Sequence, residues 1–497
     1  MNILMLLDMA VSGFGDRTAV GSIGSGLTYA DLLQRAARAG HTFQQAETER
    51  VSFLDVSSPA LPVALFGAAY AGQAFVPLNY RLADNDLVAL AERTAPASLV
   101  VGDDQVSRVS STSGLSATQR DEFLDGTASG DALGESEWPN DPDDIAVLLY
   151  TSGTTGAPKA AVLRHKNLVG YILGSVEFMG AGEDEATLVS VPPYHIAGLA
   201  AILSSVYAGR RIVQLPNFDA DAWIDTVAAE NVTHAMVVPT MLARIVEQME
   251  SRSIELPSLR ALSYGGGRMP LPVIDKALTL FPETRFVNAY GLTETSSTIS
   301  LLGPDDHREA HASTDDAVRR RLGSVGQPLP TLEVSIRDDG GNEVGAGVPG
   351  EVWVRGEQVA GEYLQQGSKL TPDGWFPTND GGELDEAGYL YVTGRLDDVI
   401  VRGGENISPG EIEDVLLGHP NVSDAAVIGV PSDQWGETIG AVIVGSATED
   451  ELKAHVVERL RSSRAPDSIV YRDELPYNDT GKLLRRILRS ELADSGD

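Results

Sequence analysis

The chain has 497 residues, with 37 Lys and Arg against 71 Asp and Glu, for a formal net charge of −34. That length exceeds one ordinary domain and suffices for two or three compact units. With 42% hydrophobic and 22% charged residues, the composition is globular rather than disordered. The acid excess argues against a nucleic-acid-binding surface, which needs a basic footprint, and against docking on anionic lipid. It leaves room for a small basic pocket inside an acidic shell. The absence of cysteine excludes disulfides, thiolate metal sites and a cysteine nucleophile. It is compatible with a reducing cytoplasm.

Residues 1–13 are apolar but contain Asp8 and lack a basic leader, so no signal peptide is read there. Residues 28–39 read as a helix with Asp31 in its first turn. The apolar stretch 61–78 carries only Gln73 as a strongly polar side chain, is rich in Ala and Gly, and closes at Pro77. It reads as a buried helix running into a strand, not a membrane span. A soluble, cytoplasmic protein is expected. Residues 98–101, 145–149, 188–191, 212–215, 235–238 and 286–289 read as buried strands between helical segments. That alternation predicts an α/β fold with largely parallel strands. The Ser-, Asp-, Gly- and Glu-rich stretch 110–143 reads as a long acidic surface connection. From about Gly323 the texture changes: 331–337, 350–355 and 388–392 alternate like antiparallel strands between Gly and Asp turns. Residues 410–417 open a strand-and-helix tail ending near Leu492. No repeat of solenoid period is present.

The strongest local signal follows the strand 145–149: Tyr150-Thr151-Ser152-Gly153-Thr154-Thr155-Gly156-Ala157-Pro158-Lys159. From Thr151 onward, four hydroxyls, two glycines and a lysine occupy nine residues. Glycines let backbone N–H groups approach an anion, hydroxyls add donors, and Lys159 adds charge. This is not the Gly-Lys-Ser/Thr phosphate loop, because Pro158 precedes the lysine. The chain has only six lysines.

The string resembles the signature loop of the adenylate-forming superfamily, which includes acyl-CoA synthetases, non-ribosomal adenylation domains and luciferases. Further motifs carry the same resemblance in the same order. They are Tyr290-Gly291-Leu292-Thr293-Glu294; Trp375-Phe376-Pro377-Thr378-Asn379-Asp380, with Asn379 where the family usually has Gly; Gly394-Arg395-Leu396-Asp397-Asp398; Gly403 to Glu413; and Asn478-Asp479-Thr480-Gly481-Lys482. The resemblance spans essentially the whole chain. It implies a large N-terminal domain, 1–396, of layered sheets and helices with a β-barrel-like subdomain. A small mobile α+β domain, 397–497, follows.

The resemblance also implies a two-step reaction using ATP, Mg²⁺ and CoA. A carboxylate attacks the α-phosphate to give acyl-AMP and pyrophosphate, and a thiol then expels AMP. Thr151, Ser152, Gly153, Thr154, Thr155, Gly156 and Lys159 would hold the β- and γ-phosphates. Glu294, with help from Thr151, would bind Mg²⁺. Thr293 would lie by the α-phosphate, and Lys482 would bridge it to the attacking carboxylate. Asp380 would accept from the ribose hydroxyls, with Arg395 supporting ribose or phosphate. Asn288, Ala289, Tyr290 and Gly291 would bind the nucleotide, and Gly265, Gly266 and Gly267 would lie against adenine. His195, beside Tyr194, would border the carboxylate and the path of the second nucleophile. Tyr194, His195, Val238, Gly265, Gly291 and Ser296 would bound the acid pocket.

The tail would rotate about Asp397 between the two steps, bringing Gly403 and Gly404 around pantetheine and Trp435 beside the CoA nucleotide. The acid is expected to be an aryl or medium-chain acid. Two other acceptors remain open, an amine and the phosphopantetheine of an acyl carrier protein. Two departures bear on CoA: Ser463-Arg464-Ala465-Pro466 stands where Tyr-Lys-x-Pro is common, and Tyr477 stands where many relatives carry Arg or Lys. Arg402, Arg464 and Arg472 are candidates to compensate. Gly345 to Gly350 matches a dinucleotide-binding glycine pattern but precedes a strand and no helix, and is rejected. His307 and His311 have zinc-helix spacing but lack the acid directly after the first His.

Overall fold

The computed structural model describes residues 1–134, 138–151, 158–252, 254–403, 405–432, 434–477 and 483–494. The β-branched runs form two large sheets that are parallel at their centres. Among the described residues, one sheet has nine strands. Its parallel run, in spatial order, is Arg285–Leu292, Ala261–Gly265, His234–Val237, Ala186–Val189, Arg211–Gln214 and Thr18–Val20. Ser297–Leu302 pairs antiparallel to Arg285–Leu292. The second sheet has eight strands. Its parallel run is Leu115–Gln119, Ala97–Val101, Arg50–Leu54, Ala74–Pro77 and Ile145–Thr151, after which Lys159–Arg164 turns back antiparallel.

Helices Leu4–Phe14, Tyr29–Gln45, Ala60–Ala71, His165–Ser175 and Ile196–Ala208 contribute to one core with Phe75 and Leu149 of the second sheet and Ile212 of the first. Ala60–Ala71 is buried on all sides except at its last residue. That is why its sequence lacks a polar face. It meets Tyr29–Gln45 backbone to backbone: a Cβ on Gly40 would stand 2.4 Å from the Tyr70 Cβ. Thr28 and Asp31 cap Tyr29–Gln45 reciprocally, each accepting from the other's backbone N–H at 3.0 Å. The helix then continues past the expected end at residue 39. Among the described residues, no helix is long and apolar enough to cross a membrane.

The stretch 110–143 corrects the expectation of a plain surface connection. It supplies the edge strand Leu115–Gln119 and the helix Arg120–Ala128, whose Phe123 stacks on Phe43 with ring centres 5.9 Å apart. The composition misled because that helix buries only Phe123 and Thr127.

Glu333–Arg337, Gly350–Arg355, Phe376–Leu384 and Leu390–Arg395 form a four-stranded antiparallel sheet, as the change of texture predicts. A single 3₁₀ turn, Leu396–Asp398, leads into the C-terminal unit. There Val422–Ser432 and Gly436–Gly445 pair along their length, Ser468–Tyr471 adds in parallel, and Pro409–Leu417 and Glu449–Arg459 pack on them. This unit has its own core around Ile412, Val427, Ile439 and Val456.

His165 is 2% exposed, and its Nδ1 accepts the Ile3 amide at 3.3 Å, tying the first helix to the start of His165–Ser175. Burial depresses its pKa from 6.5 to about 4. Below pH 6.5 the unfolded chain therefore takes up the proton that the folded chain refuses, and stability declines until the pH reaches about 4. His165→Gln is expected to flatten the fall of the urea midpoint between those pH values by up to about one proton equivalent. An unchanged slope would exclude His165 as a source of the acid sensitivity.

Candidate active site

The hairpin of Ile145–Thr151 and Lys159–Arg164 sets Thr151 opposite Lys159, and the Thr151 hydroxyl donates to the Lys159 carbonyl at 3.4 Å. Ser152, Gly153, Thr154, Thr155 and Gly156 lie outside the described residues. The Lys159 ammonium stands 5.8 Å from the Tyr363 ring centre. The Tyr363 hydroxyl donates to the Glu294 carboxylate. Burial, followed by that carboxylate, pushes the Tyr363 pKa well up. Glu294 sits in the 3₁₀ turn Thr293–Thr295, and its carbonyl accepts from Ala360 and Gly361 at 2.9 and 3.0 Å. Tyr363 thus links the lysine to the acid, and no sequence motif pointed to it.

Asp380 and Arg395 are register partners in the antiparallel sheet. Arg395 Nε lies 3.1 Å from Asp380 Oδ1, and the Tyr290 hydroxyl donates to Oδ2 at 2.6 Å. Arg395 also donates to the Thr378 carbonyl at 2.8 Å. Asp380 is 5% exposed. Burial, reinforced by the carboxylate, holds the Tyr290 proton on. Ionised carboxylate oxygens have several lone pairs, so Asp380 retains acceptor capacity.

A cavity of about 1430 Å³ joins these groups. Thr151, Lys159, Tyr194, His195, Val238, Gly266, Gly267, Asn288, Ala289, Tyr290, Gly291, Thr293, Glu294, Asp380, Arg395 and Asp397 all lie on its wall. Tyr194 is fixed edge-on to Tyr80, with ring centres 5.3 Å apart, and lies beside His195 at 4.5 Å. Gly265 and Ser296 are off the wall. Gly265 is pressed into the sheet, where a Cβ would meet the Ala289 carbonyl at 2.2 Å. Ser296 is buried behind the Thr293 turn, donating its N–H to the Thr293 carbonyl at 3.1 Å.

The C-terminal unit closes one side of the cavity with Gly410, Glu413, Asp414, Tyr477, Leu483 and Arg485. Arg268 pairs with Asp414 across the connection, and the Ser408 hydroxyl donates to the Thr393 carbonyl at 2.7 Å. Lys482 lies outside the described residues. Its described neighbours Tyr477 and Leu483 bridge one another and line the cavity. Asn379, in the left-handed region at φ 61°, donates to Asp397 at 2.9 Å.

Gly403 and Trp435 are away from the cavity wall. The Gly403 N–H donates to the Trp435 carbonyl at 2.7 Å, and at φ 58° a Cβ there would stand 3.0 Å from the indole. Gly404 is outside the described residues. The three arginines considered as cationic compensation all face carboxylates: Arg402 pairs with Asp467 at 2.8 Å, Arg464 with Glu405 at 2.9 Å, and Arg472 with Glu491. His307 bonds at both ring nitrogens, to Tyr264 at 2.8 Å and the Gly303 carbonyl at 2.7 Å. His311 meets Asp275 at 2.9 Å.

The family model "AMP-binding enzyme" matches residues 7–364, and "AMP-binding enzyme C-terminal domain" matches 411–482. A feruloyl-CoA synthase of an Amycolatopsis species is 34% identical over 487 residues, 95% of each chain. The o-succinylbenzoate CoA synthetase of Bacillus subtilis, solved with its acyl-adenylate intermediate, aligns with a TM-score of 0.83 at 28% identity over 97% of each chain. ATP-bound MatB of Rhodopseudomonas palustris aligns with a TM-score of 0.88 at 26% identity over all of both chains.

The Tyr290–Asp380–Arg395 cluster is structural in the unliganded protein, whatever it later binds. Asp380→Ala leaves a half-buried guanidinium and a buried phenol without their acceptor and is expected to destabilise by about 2–4 kcal/mol. Tyr290→Phe removes one hydrogen bond and should cost about 1 kcal/mol. Urea denaturation without ligand measures both, and equal effects of the two would contradict this ranking.

Proposed function

The chain belongs to the AMP-binding enzyme family, and we propose that it is an AMP-forming acid–CoA ligase that activates an aryl or medium-chain carboxylic acid. One observation supports the reading above the others. A single cavity is walled by Lys159 and Glu294, by the Tyr290–Asp380–Arg395 cluster, and by a pocket of small side chains beside His195. The feruloyl-CoA synthase at 34% identity supports an aryl acid.

In the first half-reaction a carboxylate oxygen bonds to the α-phosphorus while the bond from phosphorus to the bridging oxygen breaks, and pyrophosphate leaves. Both reactants are anions, so the barrier falls only where cations and oriented donors meet the developing charge. Lys159 and the loop before it hold the β- and γ-phosphates. Asp380 accepts from the ribose hydroxyls, with Arg395 setting its orientation. Thr293 contacts the α-phosphate, and Lys482 bridges that phosphate and the incoming carboxylate.

The residues present fit Mg²⁺. Glu294 Oε1 takes the Tyr363 hydroxyl, and the other carboxylate oxygen and the Thr151 hydroxyl are hard donors suited to this ion. Among the described residues no group of three His, Asp or Glu could hold a metal alone. This fits a cation that arrives on the phosphates and keeps several waters. When bound, it neutralises phosphate charge.

In the second half-reaction a thiol sulfur bonds to the acyl carbon and AMP leaves. Gly403 and Trp435 stand off the cavity in this arrangement, and the connection 396–398 is one short turn. Both features support a pivot at Asp397, dividing the chain into 1–396 and 397–497. Rotation then brings Gly403 and Gly404 around pantetheine and Trp435 to the CoA nucleotide.

ATP–pyrophosphate exchange over an acid library tests the first half, and product mass with CoA, an amine or a holo-carrier protein assigns the acceptor. Thioester with CoA is expected; an amide or an acylated carrier would replace the CoA reading. Lys482→Ala should lose exchange by at least about 100-fold, the scale of removing one transition-state donor. Asp397→Pro should retain exchange and lose thioester formation. Loss of both by the proline variant would remove the pivot.

A further inference from the structure

Tyr363 stands between two opposite charges, Lys159 and Glu294, that do not pair with one another. The segment that carries it is bonded through the backbone to both neighbours. Ala360 and Gly361 donate to the Glu294 carbonyl at 2.9 and 3.0 Å, and Leu364 donates to the carbonyl of Ala160, next to Lys159, at 2.9 Å. Tyr363 is the register partner of Ala161, two residues along the strand Lys159–Arg164 from the lysine. Alternation along a strand and pairing across it put the side chains of Lys159, Ala161 and Tyr363 on one face of the sheet. The ring of Tyr363 accordingly lies 5.8 Å from the Lys159 ammonium, a cation–π distance, while its hydroxyl donates to Glu294 Oε1.

Neither charge has an ionic partner. Lys166, Lys276 and Lys453 each pair with a carboxylate, at 2.5, 3.3 and 2.5 Å, whereas Lys159 makes no ion pair among the described residues. Among the same residues Glu294 makes none either, and its carboxylate takes its hydrogen bond from Tyr363. Lys159, Glu294 and Tyr363 are all half-buried and share the cavity wall. An acid and a base that close attract one another more strongly there than in water. A direct pair would occupy both the ammonium that the phosphates need and the carboxylate. A ring face and a phenol hydroxyl hold each charge in place without neutralising it.

We propose that Tyr363 is a positioning residue that keeps Lys159 and Glu294 from pairing, so that the lysine meets the β- and γ-phosphates uncompensated and the acid keeps an oxygen for the cation that arrives with them. This role rests on the proposed acid activation. It is exerted through Lys159 and Glu294 and needs no contact between the phenol and the nucleotide.

The probes are metal-free ATP and AMP, titrated calorimetrically into the full chain in EDTA. AMP lacks the phosphates that Lys159 holds, so the ratio of the two affinities reports on the lysine, and a loss of fold lowers both affinities together. Tyr363→Phe is expected to lower the ATP-to-AMP ratio about tenfold, the scale of a hydrogen bond to a charged group, because the released carboxylate turns to Lys159. Tyr363→Leu, which also removes the ring, should lower it further. In a Glu294→Gln background the lysine has no acid to turn to, and Tyr363→Phe should leave the ratio unchanged. An unaltered ratio in the single Tyr363→Phe variant overturns the role. An equal loss in the Glu294→Gln background also overturns it, making the phenol a phosphate ligand in its own right. So does ATP binding no tighter than AMP to the native protein, since Lys159 is then not free for the phosphates. Tight ATP binding without pyrophosphate exchange for any acid overturns acid activation and leaves the positioning role standing.

Discussion

The contact on which most of the site depends is the carboxylate of Asp380, held between the Tyr290 hydroxyl and the Arg395 guanidinium. Tyr290 belongs to the nine-stranded sheet, and Asp380 and Arg395 to the antiparallel one. The three side chains therefore tie the two sheets together. The residue after Arg395 begins the turn into the C-terminal unit. One buried acid thus joins the two sheets beside the point from which the tail departs, alongside the apolar contacts of Ile299 with Val354 and Phe376. In a low dielectric such a group is stable only with its partners in place, so the geometry is specified strongly.

Around that centre the charge is arranged against the bulk. A protein with a formal charge of −34 must receive a polyphosphate. The local field outweighs the total where cations line a cleft with low-dielectric walls. Lys159 lies on the cavity wall beside Arg395, whose charge is shared with Asp380, whereas Arg402, Arg464 and Arg472 are matched by carboxylates on the C-terminal unit. The net negative shell is therefore made of neutralised pairs and surplus acids outside the cleft.

Much of this was legible in the sequence. Parallel strands showed as β-branched runs because both their faces are buried, and the antiparallel unit showed as alternation. The phosphate-loop string and the Tyr290 to Glu294 motif were readable because backbone approach and charge demand particular residue types at fixed spacing. Tyr363 was not readable, since its partnership with Glu294 is made across 69 positions of chain. Gly265 and Ser296 were expected to bound the acid pocket, yet they support its wall from behind.

The contacts named across the connection at residue 397 are light. Arg268 with Asp414 is a partly exposed ion pair, Ser408 with Thr393 a single hydroxyl bond, and Asn379 with Asp397 one amide bond. An exposed ion pair contributes about 0–1 kcal/mol, and of these three contacts it is the one whose strength depends on salt. These three contacts hold the C-terminal unit only lightly. Dissolved electrolyte therefore bears on one of the three alone, and under the proposed pivot that single pair is the handle by which ionic strength reaches the seating of the tail, leaving the buried acid at the centre untouched.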